Sequence, residues 1–418
     1  LTDFDEYGGW ALNSRLTARL ADFGNITLSG NISTIGFGSI EKKVNERQKY
    51  NAYQYDFSST LDLGKFFPEN TGIKIPMYIG RSESVQNPQY NPLDPDILFT
   101  NSLEVLESKN ERDSLKHIAQ DYVRRNSINF TNVRKIRGSN KNKEQKKARI
   151  YDVENITLSY SKNQTFIRNI NTEYNRTVNY KAAFTYNFNT QPKNIKPFKK
   201  IKFPKSAYFR LIKDFNFNNM PKSFSFRTDI DRSYGEMQVR NLNSTFLPVD
   251  PTYNKYFNWN RMYEIKYDLM RTLKLDFAVN TRSIIDEPAG KLDKNDIFYK
   301  EKIDTIWQNV WNFGRPLTYH QTFGANYQVP LNKIPILNFI SLSTRYGSSY
   351  DWTAAPNGLR DLGHTIQNSN TSQYNTQINL NNLYNKVPYF KKLNRGKDRR
   401  RNASRNNNEE EESKNFHY

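Results

Sequence analysis

The chain contains no cysteine. Disulfide staples, zinc–thiolate sites, iron–sulfur clusters and cysteine nucleophiles are therefore excluded. It also lacks any run approaching the ~18–20 consecutive apolar residues that a membrane-spanning helix requires. Its four histidines, His117, His320, His364 and His417, are scattered and fit no metal-ligand spacing. There is no G-x-S-x-G, H-E-x-x-H, P-loop or dinucleotide fingerprint. Asp229 and Asp231 share a strand face beside Arg227, which reads as a solvated wall rather than a catalytic pair. Nothing in the residues argues for an enzyme, and no cofactor or metal is expected. The 418 residues begin at Leu1 without an initiator methionine or an apolar leader, which reads as a fragment or processed segment.

What is abundant is aromatic: 27 Tyr and 27 Phe beside only 5 Met, a composition weighted to strand formers. The net charge of +20 could suit nucleic acid or anionic lipid. The basic residues cluster in particular connections instead of forming a stripe, so no nucleic-acid partner is expected. Mean hydropathy of −0.86 looks soluble, but alternating strands dilute hydropathy and a β-barrel would give the same average.

The clearest pattern runs from Leu317 to Thr353. Leu317, Tyr319, Phe323, Ala325, Tyr327 and Val329 share one parity, with a slip at Gln321. Thr318, His320, Thr322, Gly324, Asn326 and Gln328 take the other. After Leu331–Pro335 the alternation resumes, with Ile340, Leu342, Tyr346, Tyr350 and Trp352 opposite Ser341, Ser343, Arg345, Gly347, Ser349 and Asp351. A period of two means β-strand. Each arm has roughly 12–15 residues, against about 5–6 in an ordinary strand. A long hairpin, greasy on one face and small-polar on the other, suits a large membrane β-barrel.

The same alternation recurs along the chain: Trp10–Leu20 with Ile26–Ser33, Tyr53–Leu63 with Ile73–Ile79, Ile156–Tyr160, Val178–Phe188, Phe224–Asp231, Phe257–Leu269 with Leu273–Val279, and Ile366–Leu380. Near Ile128 and Phe130 it is weak. The total is roughly 13 antiparallel strands. Pro88, Pro92 and Pro95 mark a loop. Leu115, Ile118, Ala119, Tyr122 and Val123 then fit one face of a helix, a helical insertion at about 101–125. It reads as docked in a long loop or on a barrel rim rather than as a membrane-surface anchor. A second short helix is expected within 303–313. Residues 141–149 form a basic solvated loop, and 393–418 a charged, disordered loop or linker beyond a barrel wall spanning 1–392.

Alternate connections of an antiparallel sheet lie at the same end. One set, including 22–25, 64–72, 138–149, 191–205, 270–272, 331–335 and 385–392, is Lys-rich and holds the tight turns. The other holds the long loops and both helices. That asymmetry is expected of outer-membrane barrels. Tyr53, Tyr55, Trp259, Tyr350 and Trp352 fall toward the long-loop ends, as an interfacial aromatic girdle would. The candidate lumen-facing residues are Thr318, His320, Asn326, Gln328, Ser341, Ser343, Arg345 and Ser349.

Particular strings carry a family likeness: Leu211–Phe217, Ser225-Phe226-Arg227 and Arg232–Asn241, with Gly72–Met77, Ile118–Tyr122, Ser127–Lys135 and Pro330–Pro335. They resemble the SprA (Sov) family over about residues 1–392, which would be an internal segment of a much longer protein. The resemblance implies a giant outer-membrane barrel, the translocon of the type IX secretion system of Bacteroidota, with a role in gliding motility in gliding species. It implies as partners the rest of the same barrel, a PorV-type shuttle protein, a periplasmic plug protein, secreted cargo bearing the C-terminal signal domain, and outer-membrane lipid. Two alternatives stand beside it: a TonB-dependent receptor or porin-like barrel, and a soluble secreted β-rich adhesin or binding module.

Overall fold

The computed structural model describes residues 8–38, 46–136, 149–200, 209–242 and 247–391. The chain is all-β. Thirteen long strands follow one another as antiparallel neighbours: β1 (Ala11–Leu20), β2 (Gly24–Ser33), β3 (Tyr50–Asp62), β4 (Pro76–Pro88), β5 (Asp121–Lys135), β6 (Ile156–Arg168), β7 (Thr172–Asn189), β8 (Ser223–Val239), β9 (Thr252–Tyr267), β10 (Leu273–Ile284), β11 (Arg315–Val329), β12 (Ile340–Thr353) and β13 (Thr365–Ile378). With Ile73–Lys74, which pairs with β5, they form one 14-stranded sheet. β1 and β13 are its edges. Sequence neighbours pair throughout, as short connections favour. No helix among the described residues is long and apolar enough to cross a membrane.

Several sequence expectations are corrected. The helical stripe overran: α1 is Phe99–Val105 and α2 is Lys109–Ala119, closed by the Gln120 amide on the Lys116 carbonyl. Tyr122 and Val123 belong to β5, where they pair with Val85 and Ser84 on opposite faces of the sheet. Ladder pairing with β4 and β6 outweighs the local period there. The weak signal at Ile128 and Phe130 marks a full 15-residue strand. Pro88 is the last residue of β4 rather than loop, a position where a missing N–H costs little. The second expected helix is α4 (Tyr299–Trp311), and short helices α3 (Arg210–Lys213) and α5 (Leu380–Tyr384) were not foreseen. Residues 141–148 of the basic insertion and the tail 393–418 lie outside the described residues.

The expected asymmetry of ends holds only in part. Connections 34–49, 89–120, 169–171, 240–251, 285–314 and 354–364 lie at one end, here the upper. Both sequence-expected helices, α2 and α4, are there. The lower end carries 21–23, 63–75, 136–155, 190–222, 268–272 and 330–339. Lys193, Lys196, Lys199 and Lys333 sit at that end as expected. Length does not separate the ends: 169–171 above is a tight turn, and 190–222 below is as long as 89–120. The tight turn escaped notice because it holds neither Gly nor Pro; the Asn169 side chain accepts the amides of Asn171 and Thr172 at 3.0 and 2.8 Å. Gly72, in the bend before β4, has φ +64°, and a Cβ there would meet the Ile136 carbonyl oxygen at 2.3 Å.

Register gives the sheet its tilt. Leu61, next to last in β3 at the lower end, faces Met77. The row continues through Phe130, Tyr160, Ala182, Ile230 and Trp259 to Ser283. Ser283 is next to last in β10, at the upper end. A row that leaves the bottom of one strand and reaches the top of another seven steps away is staggered by about 1.3 residues per strand. At ~3.3 Å per residue and ~4.8 Å between strands the strands tilt by about 40°, within the range for barrel walls.

Candidate functional site

Antiparallel partners share a face, so the registers sort every strand residue onto one of two surfaces. The first carries Leu12, Leu16, Leu28, Phe57, Ile79, Ile128, Leu158, Phe184, Phe226, Tyr263, Phe277, Phe323 and Tyr346. The second carries Asn13, Thr27, Asp56, Ser82, Arg125, Ser161, Asn179, Ser233, Asn260, Asn280, Thr322 and Ser349, so it is hydroxyl, amide and charge across the whole sheet. The upper connections fold onto this face at Trp259 and Arg232, and below them no second layer is packed on it among the described residues. Leu16 is 65 % exposed, Leu28 47 %, Leu158 47 % and Tyr346 41 %, whereas only seven apolar residues are buried among those described. On β7 the apolar run extends from Val178 to Phe188. Ten residues span ~33 Å along the strand, or about 25 Å in height at the observed tilt, the height of a transmembrane barrel's apolar band.

All eight candidate lumen residues fall on the polar face. Pairing sets Thr318 opposite Thr353, His320 opposite Asp351, Asn326 opposite Arg345 and Gln328 opposite Ser343; Ser349 faces Thr322 and Ser341 faces Gln377. A ring nitrogen of His320 bonds the Asp351 carboxylate. Two hollows open on this face. The larger, about 720 Å³, spans β1 to β5 between Arg15, Asp56, Ser82 and Arg125. The other, about 400 Å³, includes Asn326, Arg345 and Ser349. Asp229 and Asp231 are each paired with a cation: Arg227 Nε lies 2.8 Å from Asp229, and Lys181 Nζ 3.5 Å from Asp231. No acid–base dyad is built.

The five girdle candidates all lie on the apolar face, but not at one level. Tyr350 and Trp352 are near the upper end of β12, and Tyr53 is near that of β3. Tyr55 is further down, and its hydroxyl bonds Glu83. Trp259 is the eighth residue of β9, opposite Ser283 near the upper end of β10. Its indole N–H donates to Thr228 at 2.5 Å, and its ring stacks on Phe313 with 5.6 Å between centroids. On that face it anchors the connection that carries α4. The slip at Gln321 has company as well: Ser348, Asn368 and Asn370 join it in a polar hollow on the apolar side near the β13 edge.

Sequence reading missed a charged belt on the apolar face, which runs from mid-strand to the upper ends. It includes Arg81, Glu83, Arg124, Arg168, Arg176, Glu236, Arg232, Lys255 and Arg261, all at apolar-face parity. Much of it clamps the upper connections down. Arg232 pairs with Glu287, whose side chain is 4 % exposed, and Lys255 Nζ donates to the carbonyls of Pro288, at 2.9 Å, and Gly290. The Arg261 guanidinium lies beside the stacked rings of Trp259 and Phe313, 5.1 and 5.3 Å from their centroids. The available signal was parity itself: Arg81 and Glu83 continue the row of Met77 and Ile79. Nearby, α2 places His117 Nδ1 4.0 Å from Glu173. Burial first, then the Arg168 guanidinium, pushes that imidazole below its ordinary pKa. Outside the strands, the Arg315 guanidinium holds Asp286 below the usual carboxylate range, with Nε and Nη2 at 2.9 and 3.0 Å.

Residues 1–103 match the SprA_N family model, described as a motility related/secretion protein. No curated protein sequence matches the chain. Among solved structures, the crystal structure of the siderophore receptor PirA from Acinetobacter baumannii is similar at 7 % identity over 88 % of this chain, with a TM-score of 0.16. The chain spans 64 % of that receptor's length. The likeness to that motility- and secretion-related family covers the N-terminal quarter of the chain.

Proposed function

We propose that the sheet is part of the wall of a large outer-membrane barrel, and that this barrel is the protein-conducting pore of a type IX secretion system. The observation that carries the membrane reading is the exposed apolar face. Burying so much exposed hydrocarbon requires either another packed layer or lipid. A single tilted layer with a band about 25 Å high fits lipid. The polar face then borders the lumen, where small hydroxyl and amide groups let cargo pass without adhering to the wall. The SprA-like match supports secretion or motility as the process. The resemblance adds folded cargo with a C-terminal signal domain, a PorV-type shuttle, a periplasmic plug and, in gliding species, motility.

Two experiments test the reading. The full-length protein is expected to resist carbonate and high-salt extraction from membranes; release by either overturns the spanning sheet. On conditional depletion, signal-domain cargo is expected to accumulate in the periplasm. Undiminished release would leave a membrane barrel that is not the translocon.

A further inference from the structure

At the upper margin of the apolar band, beneath α2, a cluster of cations has too few partners. Arg240 follows the last residue of β8, and its side chain is only 10 % exposed. Its Nε donates to Glu173 at 2.6 Å, but Nη1 and Nη2 are buried without an acceptor among the described residues. Arg168, the last residue of β6, lies over the Tyr122 ring at 4.8 Å, and its Nε is likewise buried and unpaired. The two guanidiniums are near enough to repel, and His117 lies against the same Glu173. One carboxylate therefore bonds the Arg240 guanidinium while the imidazole and a second guanidinium lie near it.

A buried guanidinium left without acceptors is costly. The missing partner should be anionic, offer several oxygens, and suit the planar fork of arginine. Phosphate does all three, accepting paired N–H groups in bidentate fashion. A second carboxylate would satisfy one fork; a phosphate group can engage both. We propose that Arg168 and Arg240, with His117 and Tyr122 around them, form a binding site for a phosphate-bearing anion.

Its place between the apolar band and the upper connections suits the headgroup of a phosphorylated lipid whose chains lie along the band. That source rests on the membrane reading above; a soluble phosphate does not. Purified full-length protein in detergent is titrated with inorganic phosphate, and separately with mixed micelles containing phosphorylated lipid A or its dephosphorylated form. Binding is read by ³¹P line broadening and by competition. Saturable binding of phosphorylated lipid but not of the dephosphorylated form supports the site with a lipid source. Saturable binding of inorganic phosphate with no preference for the lipid supports it with a soluble source. In either case Arg168→Gln and Arg240→Gln should each weaken binding by about tenfold or more, as loss of one charge-assisted contact implies. Arg240→Lys should restore only part of it, because an ammonium keeps the charge but not the paired fork. Wild-type protein that binds neither probe overturns the site, and this needs no variant to fold. Binding unchanged by either Gln variant overturns it too.

Discussion

Two ion pairs at the upper end show how differently single residues hold a connection. Asp286 and Arg315 join the two ends of the 285–314 connection, but Asp286 is 55 % exposed. Solvent screening limits such a pair to no more than about 1 kcal/mol. Because the folded Asp286 has a lowered pKa, the pair's contribution is complete above the unfolded carboxylate value of ~3.9 and is lost as the pH falls through the lower folded value. The stability difference between wild type and Asp286→Asn should be constant from neutral pH to about pH 5 and should vanish in stronger acid. Thermal unfolding measured as a function of pH checks this. Arg232 and Glu287 are more enclosed, with side chains 27 % and 4 % exposed. Glu287→Ala strands a guanidinium and should cost about 2 kcal/mol. Removing both partners with Met at 232 and Met at 287 should cost less. Proteolysis of the 285–314 connection measures the difference.

At the scale of the strand, the two-residue period assigns opposite fates to neighbours. Phe226 packs with Tyr263 at 4.9 Å between ring centroids on the apolar face, while Ser225 bonds Asn187 at 2.6 Å on the polar face. Phe226→Arg should destabilise the inserted barrel by about 2–4 kcal/mol, whereas Ser225→Arg should cost little, because lumen positions tolerate charge. Denaturant unfolding of the folded barrel in lipid separates the two. Equal costs would mean that both faces meet the same medium.

Stagger belongs to the whole molecule. Strands inclined by about 40° should give that angle in polarised infrared spectra of oriented bilayers holding the full-length protein. A value near zero would exclude a barrel wall. The two ends of the sheet should also differ in access. A protease site inserted near Asn357 is expected to be cut from outside intact cells, and one near Lys193 to be protected. The reverse pattern would exchange the two ends.

The alternation of Leu317–Thr353 was enough to establish a long hairpin with one apolar and one polar face, because strand periodicity is a local property of the backbone. It also placed all eight lumen candidates on one side, since pairing by register keeps equal parity together. The strand count was legible for the same reason. The end of α2 was not: Tyr122 and Val123 satisfy a helical stripe locally, and only pairing with β4 and β6 makes them strand. Trp259 could not be recognised as an anchor, because Phe313 is 54 residues away in the chain. Nor could the Arg168–Arg240 cluster be read in advance, since three segments must meet to bury it. Sequence alone determined which face each side chain takes. The tertiary structure decided how the rows climb from strand to strand and which charges the connections cover, because both depend on pairing between distant residues.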